Sequence, residues 1–264
     1  MKYYIIAGEA SGDLHGSKLI SEIIKVDSKA EIRGWGGDKM EKAGANIVKH
    51  YSDLAFMGFY EVIINLKIIL NNIKFCKEDI LKFNPDKIIF IDYPGFNLRI
   101  AKWAKLKKNN FKTYYYIAPQ IWAWNEKRIH EIKKNIDHLY VILPFEKDFF
   151  ENKHNYKVNY LGHPLLDSIG DLKKDVKENF IKKNNLDNSK PIIAILPGSR
   201  KQEIKKILSV MIEVVDDFKD YQFIIAAAPN ISSEFFNKII KNKNIKIISN
   251  KTCLLYTSPS PRDS

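Results

Sequence analysis

Residues 1–24, MKYYIIAGEASGDLHGSKLISEII, decide the fold class of this chain. Tyr3–Ala7 is an unbroken apolar run, which is typical of a strand buried on both faces of a parallel sheet. The polar turn Gly8–Asp13 follows it, and apolar residues then recur at helical spacing. A strand, a turn and a helix in this order predict the start of a βαβ unit.

The same alternation continues along the chain. Further strands are predicted at 31–34, 87–92, 113–118, 139–143 and 158–161, and helices near 38–43, 74–83, 96–107, 126–134 and 146–152. After a charged stretch with a predicted helix at 174–184, the pattern restarts with strands at 192–196, 222–227 and 246–248 and helices at 202–218 and 234–241. We therefore predict an α/β chain with a doubly wound domain over residues 1–165 and an incomplete second one over 166–251. Residues 252–264 follow no period, and we interpret them as a non-native tail.

The composition narrows the class of protein. In a chain of 264 residues, 45% hydrophobic content is enough for a folded core. Cys76 and Cys253 are too few for a disulfide framework, which favours a reducing compartment. A signal peptide is not expected, because the apolar run at the N-terminus is too short for a signal h-region and lacks a cleavage site. A transmembrane helix is not expected, because no uncharged apolar run reaches about 18 residues.

The net charge limits the kinds of partner. The chain has 43 basic and 31 acidic residues, a formal charge of +12. This excess is compatible with nucleic acid, an anionic membrane surface or a phosphorylated small molecule. Charge alone does not choose among the three.

The turn Gly8–Asp13 is placed where doubly wound sheets bind ligands, at the carboxyl end of the first strand and the start of a helix. Taken alone, such a loop is more often an ordinary turn, in which Ser11 or Asp13 would cap the helix. Dinucleotide and ATP binding are less favoured, because Gly34–Gly37 is followed by Lys39 where a fingerprint needs its third glycine, and no P-loop occurs.

Two further loops carry candidate chemistry. Asp92 ends a predicted strand and is either a general base or a residue of an Asx turn. Arg200 in LPGSR (196–200) would fit a pyrophosphate together with backbone N–H groups, or is a solvated surface arginine. His15 and His163 are weaker candidates of the same kind.

Two apolar features have both a core and a surface interpretation. The stretch 54–70 is either core or an interfacial helix on anionic lipid, assisted by the lysines around it. Trp122 and Trp124 are either the walls of a binding site or core residues, and core is the default.

Several of these motifs together resemble the lipid-A-disaccharide synthases, bacterial glycosyltransferases of family 19 and of the two-domain GT-B type. The matching segments run in order over nearly all of residues 1–250. They are GEASGD (8–13), GFYEVI (58–63), IDYPGFN (91–97), APQIWAW (118–124), LPFEKDFF (143–150), YLGHPLLD (160–167) and LPGSR (196–200). The resemblance implies two Rossmann-like doubly wound domains, the second incomplete here. We expect the chain to be inactive without the family's C-terminal part.

The resemblance also implies a reaction. The family joins UDP-2,3-diacylglucosamine to 2,3-diacylglucosamine 1-phosphate with inversion and release of UDP, in lipid A biosynthesis, with no cofactor and no metal. Asp92 is the first choice for the catalytic base, and Glu9 the second choice or a binder of the acceptor sugar. Gly198, Ser199 and Arg200 would bind UDP. Many family members have Asp where this chain has Gly95, so Asp92 must act alone here or with Glu9.

The remaining implied contacts concern the lipid. Acceptor binding is expected from Ser11, Gly12, Asp13, Asn97, Gln120 and Trp122. Membrane contact is expected from Met57, Phe59, Ile63, Ile64 and Ile68. The expected location is cytoplasmic, peripheral on the inner face of the bacterial inner membrane, and a homodimer is compatible with this picture.

Two alternatives remain at this point. Another GT-B enzyme that uses UDP-sugars, such as a UDP-N-acetylglucosamine 2-epimerase or a peptidoglycan-precursor transferase, would share the architecture but is not expected to carry both IDYPGFN and QIWAW. A basic nucleic-acid-binding protein would explain the charge, but no RRM, KH or helix-turn-helix signature is present.

Overall fold

The computed structural model describes residues 1–54, 66–106, 111–166, 180–199, 201–228, 231–241 and 244–249. The chain divides into two compact units, Met1–Pro164 and Leu165–Ser264. Each unit is built around its own parallel sheet. The division lies one residue from the boundary expected after residue 165.

The first unit contains a seven-stranded sheet in the order β3-β2-β1-β4-β5-β6-β7, in which each neighbouring pair is parallel. The strands are β1 Lys2–Ala7, β2 Glu31–Gly36, β3 Asn46–His50, β4 Lys87–Ile91, β5 Lys112–Tyr116, β6 His138–Val141 and β7 Asn159–Tyr160. The chain runs outward on one side from β1 and on the other side from β4. The switch point, where such sheets bind ligands, therefore lies between these two strands.

Helices connect these strands. They are Ala10–Val26, Asp38–Lys42, Leu66–Phe83, Pro94–Leu106, Ile121–Trp124, Ile129–Asn135 and Pro144–Asp148, with 3-10 turns at Tyr51–Leu54 and Glu126–Arg128 and a π-helical turn at Phe149–Lys153. The sequence predicted most of these helices. Among the strands of the first sheet, it did not predict β3. In β3 only Ile47 and Val48 are apolar, because an edge strand buries little of its surface.

The two faces of the first sheet are covered differently. On one face, the helices Leu66–Phe83, Pro94–Leu106 and Ile129–Asn135 pack over a large core. On the other face, strand residues form a core with the helices Ala10–Val26 and Asp38–Lys42. Among the described residues, these are the helices that contribute to this core. An apolar cavity of about 400 Å³ lies on this second side. Its lining includes Leu19, Ile23, Tyr114, Tyr116, Tyr140 and Leu161.

The second unit contains three parallel strands in the order β10-β9-β8, which are β8 Ile192–Ile195, β9 Gln222–Ala227 and β10 Ile245–Ser249. Its helices are Lys201–Met211 and Ser233–Ile240, with a 3-10 turn at Glu213–Asp217. Apolar residues lie on both faces of this sheet. The predicted α/β class with parallel sheets is confirmed. Within the described parts of both units, no helix is long and apolar enough to cross a membrane.

Candidate functional site

The candidate site lies at the carboxyl ends of β1 and β4. Ala7 pairs with Ile91 at the ends of these strands, so the loops that begin at Gly8 and Asp92 leave the sheet side by side. The two loops touch: a Cβ atom added at Gly8 would lie 2.3 Å from a ring carbon of Tyr93. Glycine at position 8 is therefore required for this close approach.

The backbone at Asp92 is held in an uncommon conformation. Asp92 and Tyr93 have φ angles of 44° and 49°, the left-handed region that side chains other than glycine rarely adopt. Ile117, which follows the neighbouring strand β5, has a φ of 65°. Such strained residues persist where the surrounding structure over-determines them, and they cluster at functional sites.

Two buried side chains hold Asp92 in place. The carbonyl oxygen of Asp92 accepts hydrogen bonds from Asn97 Nδ2 and from Tyr115 Oη, each at 2.7 Å. Asn97 Nδ2 also donates to the carbonyl oxygen of Ile91 at 3.3 Å. Asn97 and Tyr115 are both fully buried. Asn97 was predicted to contact the acceptor, but because it is buried we assign it this positioning role instead.

The carboxyl group of Asp92 is suited to proton transfer. The residue is partly exposed, and desolvation by burial raises its pKa, with a smaller opposing effect from the N–H of Tyr93. A raised pKa makes a carboxylate a stronger base than a fully hydrated one. Burial also raises the pKa of Tyr93, and the charge of Glu9 raises it further. Tyr93 therefore lies close to Glu9 at this edge of the sheet.

Two residues of the first loop, Asp13 and Gly12, are buried and have a structural role. Asp13 is only 3% exposed, and its carboxylate accepts hydrogen bonds from the N–H groups of Gly37, Met40 and Lys39 at 2.8, 3.0 and 3.2 Å. Asp13 thus fixes the turn after β2, which corrects the expectation that it contacts the acceptor. Gly12 is buried against Ala7.

The predicted helix cap is also wrong. The residue at the cap position of the helix Ala10–Val26 is Glu9, and its side chain makes no capping hydrogen bond. Ser11 is exposed in the first turn.

The carboxyl ends of β5 and β6 add an aromatic wall. Trp122 is half-buried, and its Nε1 donates to Glu146 Oε1 at 3.1 Å. Glu146, 1% exposed, also accepts the N–H groups of Ile142 and Leu143. The ring of Phe145 meets Trp122 edge to face at 4.8 Å. Glu146 therefore fixes the orientation of Trp122.

Trp124 is not a core residue, in contrast to the default expectation. It is 67% exposed, and the guanidinium of Arg128 lies 4.5 Å from the centre of its ring. Gln120 is exposed on the same segment.

The sequence did not single out three of these residues. Tyr115 is one of several tyrosines in a strand, and nothing in the sequence distinguishes it. Arg128 is one of 43 basic residues. Glu146 has a local signal, since it lies three residues after Leu143, the cap of a Pro-initiated helix, where a glutamate side chain can accept the N–H of the cap residue, as it does here.

The predicted histidines are placed together. His15 is buried, and its pKa is lowered by burial and by the nearby charge of His163. Burial therefore favours the neutral form of His15.

The other predicted sites lie partly outside the described residues. In the second unit, Gly198 and Ser199 are exposed after β8, and Gly198 has a φ of 106°, which favours glycine. Arg200 lies outside the described residues. So do Met57, Phe59, Ile63 and Ile64 of the expected membrane contact. Ile68 is described and is exposed near the start of the helix Leu66–Phe83.

Solved structures resemble this chain in fold. The UDP-GlcNAc 2-epimerase from Neisseria meningitidis, bound to UDP-GlcNAc, matches with a TM-score of 0.66 at 14% identity, over 97% of this chain and 75% of that one. The Methanocaldococcus jannaschii UDP-GlcNAc 2-epimerase, in complex with UDP-GlcNAc and UDP, matches with a TM-score of 0.57 at 15% identity, over 94% and 73%. At this identity the likeness concerns the fold, which is of the GT-B type.

Similarity in sequence is more specific. A lipid-A-disaccharide synthase from Coxiella burnetii is 38% identical over 251 residues, which cover 93% of this chain and 65% of the relative. Lipid-A-disaccharide synthase 1 from Legionella pneumophila is 38% identical over 248 residues, covering 92% and 63%. The chain thus spans about 65% of the length of these relatives. The family model for lipid-A-disaccharide synthetase matches residues 3–257. The resemblance predicted from the motifs is confirmed, and the chain belongs to the lipid-A-disaccharide synthetase family.

Proposed function

We propose that this protein acts as an inverting glycosyltransferase of lipid A biosynthesis. It would condense UDP-2,3-diacylglucosamine with 2,3-diacylglucosamine 1-phosphate to give lipid A disaccharide 1-phosphate and UDP. Membership of the family and the 38% identity to synthases from two genera support the assignment.

The observation that carries the proposal is the setting of Asp92. Its carboxyl group lies at the switch point of the sheet, its pKa is raised by burial, and its backbone is tied by Asn97 and Tyr115. Such a group is positioned to remove a proton from a hydroxyl of a bound sugar.

The chemistry of the proposed step is a single displacement. Asp92 takes the proton of the primary hydroxyl of the acceptor as the oxygen attacks the anomeric carbon of the donor. The bond from that carbon to UDP breaks, and UDP leaves with the electron pair. The N–H groups near Gly198 and Ser199, with Arg200, would stabilise the charge on the departing diphosphate.

Glu9 is proposed as a second carboxylate at the acceptor sugar, because its charge acts on Tyr93 beside Asp92. Family members with Asp in place of Gly95 would have another carboxylate nearby. A Cβ atom at Gly95 would meet nothing within 4 Å, so there is room for that side chain, but in this chain Asp92 and Glu9 carry the role.

Membrane association is proposed through the start of the helix Leu66–Phe83. Ile68 and Leu70 are 42% and 54% exposed there, and Lys67 and Lys74 accompany them. Exposed apolar side chains among lysines suit an anionic lipid surface. The protein would then work at the inner face of the bacterial inner membrane, where its acylated substrates are.

The test is an assay for the disaccharide product from the two acylated monosaccharides. It uses this chain alone and this chain extended by the portion of the Coxiella burnetii relative that the alignment leaves uncovered. Asp92→Asn in the extended protein should lower kcat by about 100-fold or more and leave UDP binding intact, as expected for loss of a general base. Absence of product from an extended protein that binds the UDP-sugar would contradict the proposal.

No observation favours the alternative function of a UDP-sugar epimerase, because the likeness to epimerases is limited to the fold.

A further inference from the structure

The segment from Trp122 to Arg128 carries a cationic position that the proposed reaction has not used. The guanidinium of Arg128 lies over the ring of Trp124, 4.5 Å from its centre, so the arginine is held at a defined place on the surface. Stacking on a ring occupies the flat face of a guanidinium and leaves its N–H edge free to bind an anion. Arg128 is partly exposed, so a ligand can reach it.

The charge of Arg128 is not neutralised by a carboxylate of the described residues. The acidic side chain nearest in sequence, Glu126, pairs instead with Lys153 at 2.8 Å and with His154 at 3.0 Å. This pairing removes the group that would otherwise compete with an anion for Arg128. A partly exposed, ring-stacked arginine without such a partner is a typical phosphate ligand.

Arg128 lies on the segment that follows β5. Strand β5 pairs with β4 so that Tyr116 lies beside Ile91, the residue before Asp92. The charge of Arg128 lowers the otherwise strongly raised pKa of Tyr115, the residue whose hydroxyl donates to the carbonyl oxygen of Asp92. The arginine therefore acts on the same buried phenol that holds the backbone of Asp92. Trp122, fixed by Glu146, belongs to the same segment and supplies a flat apolar wall.

The chemistry of the acceptor matches this arrangement. In the acceptor of the proposed function, the reacting primary hydroxyl is on the exocyclic carbon C6, which is attached to C5, and the phosphate is on C1. C5 and C1 are the two ring carbons that bond the ring oxygen. A ligand that presents its hydroxyl to Asp92 consequently places its phosphate about one sugar ring away.

We propose that Arg128, held on Trp124, binds the anomeric phosphate of the acceptor and gives the enzyme its preference for a phosphorylated sugar. The inference rests on the proposed function. The position selects a phosphate monoester on the sugar, and it orients the primary hydroxyl toward Asp92.

The test compares two soluble short-chain acceptors, diacylglucosamine 1-phosphate and the same sugar without phosphate. Binding to the full chain is measured by calorimetry, and tryptophan fluorescence provides a second readout. The unsubstituted protein should bind the phosphorylated sugar about 10-fold or more tightly, as expected for a charge-assisted hydrogen-bonded contact. Arg128→Gln should abolish this preference and leave affinity for the unphosphorylated sugar unchanged. Arg128→Lys should keep part of the preference, because lysine retains the positive charge but lacks the paired N–H groups of the guanidinium.

Three controls make the result decisive. Lys127→Gln removes an exposed basic neighbour and should leave the preference intact. Thermal unfolding of each variant checks that the fold is retained. Sedimentation with phosphatidylcholine vesicles containing phosphatidylglycerol separates acceptor phosphate from lipid headgroups, and Arg128→Gln should not change it.

The outcomes separate this inference from the proposed function. If the phosphate preference survives in Arg128→Gln, or if the variant loses vesicle binding instead, the inference is wrong while the proposed function stands. If the unsubstituted protein binds neither sugar, the inference is wrong, and the product assay of the extended protein decides the proposed function.

Discussion

The hydroxyl of Tyr115 offers a direct test of how Asp92 is held. Tyr115→Phe removes one oxygen atom and leaves the ring in place, so no sizeable cavity is made. The carbonyl oxygen of Asp92 loses one of its two hydrogen bonds and keeps that from Asn97. A neutral hydrogen bond contributes about 0.5–1.5 kcal/mol, and because this one is buried we expect a loss of about 1 kcal/mol in the free energy of unfolding.

The effect on turnover should be larger than the effect on stability. Asp92 and Tyr93 adopt positive φ angles, and a residue in such a region carries strain of about 1–3 kcal/mol. With one tie removed, the backbone can relax and move the carboxyl group, and a small misplacement of a catalytic group can cost about 100-fold in rate. We expect kcat to fall by about 10-fold or more while KM for the donor is unchanged.

The assay combines urea unfolding of the chain with kinetics of the extended protein. Tyr114→Phe is the matched control, because Tyr114 is the preceding residue, points to the opposite face and makes no hydrogen bond to a described residue. Equal stability and equal kcat in Tyr115→Phe and the unsubstituted protein would refute the argument that this hydroxyl holds Asp92.

Two further predictions concern the same region. Because burial raises the pKa of Asp92 in the folded state, its ionisation disfavours folding, so Asp92→Asn should stabilise the protein above the folded-state pKa. This gain in the free energy of unfolding should vanish as the pH falls below the ordinary Asp pKa of about 3.9. Urea titrations across that pH range would contradict the prediction if the difference between the variant and the unsubstituted protein stayed constant. Asp13→Ala should destabilise the first unit by about 3 kcal/mol, since it leaves three buried or partly buried N–H groups without their charged acceptor. Asp38→Ala, an exposed acidic residue nearby, is its control in the same unfolding assay, and equal losses in the two variants would argue against the structural role of Asp13.

Local pattern was sufficient for the first βαβ unit and for the position of Asp92. An apolar run, a turn with glycine and an amphipathic segment in this order are compatible with few other folds. An acidic residue at the end of a predicted strand can be recognised directly in the sequence. The roles of Asp13 and Asn97 could not be obtained in this way. Each side chain bonds to backbone groups whose positions depend on tertiary packing. In addition, the same polar residue types occur in ligand contacts and in buried structural hydrogen bonds, so the residue type does not distinguish the two roles.

Trp124 shows the complementary difficulty. A large aromatic residue is buried in most proteins, so the core interpretation was the reasonable default. The short helix Ile121–Trp124 presents Ile121, rather than Trp124, to the core.

The apolar cavity beside Tyr114, Tyr116 and Tyr140 has a practical consequence for binding measurements. At about 400 Å³ it is within the range of pockets that bury small ligands, which is about 300–1,000 Å³. Parallel sheets are ordinarily covered by helices on both sides, so this surface offers an aliphatic tail a place to leave water. We expect detergents and long-chain lipids added to the protein to partition into this cavity. Titrations with acylated ligands should therefore be analysed for stoichiometry before affinity, and short-chain ligands give the cleaner isotherm.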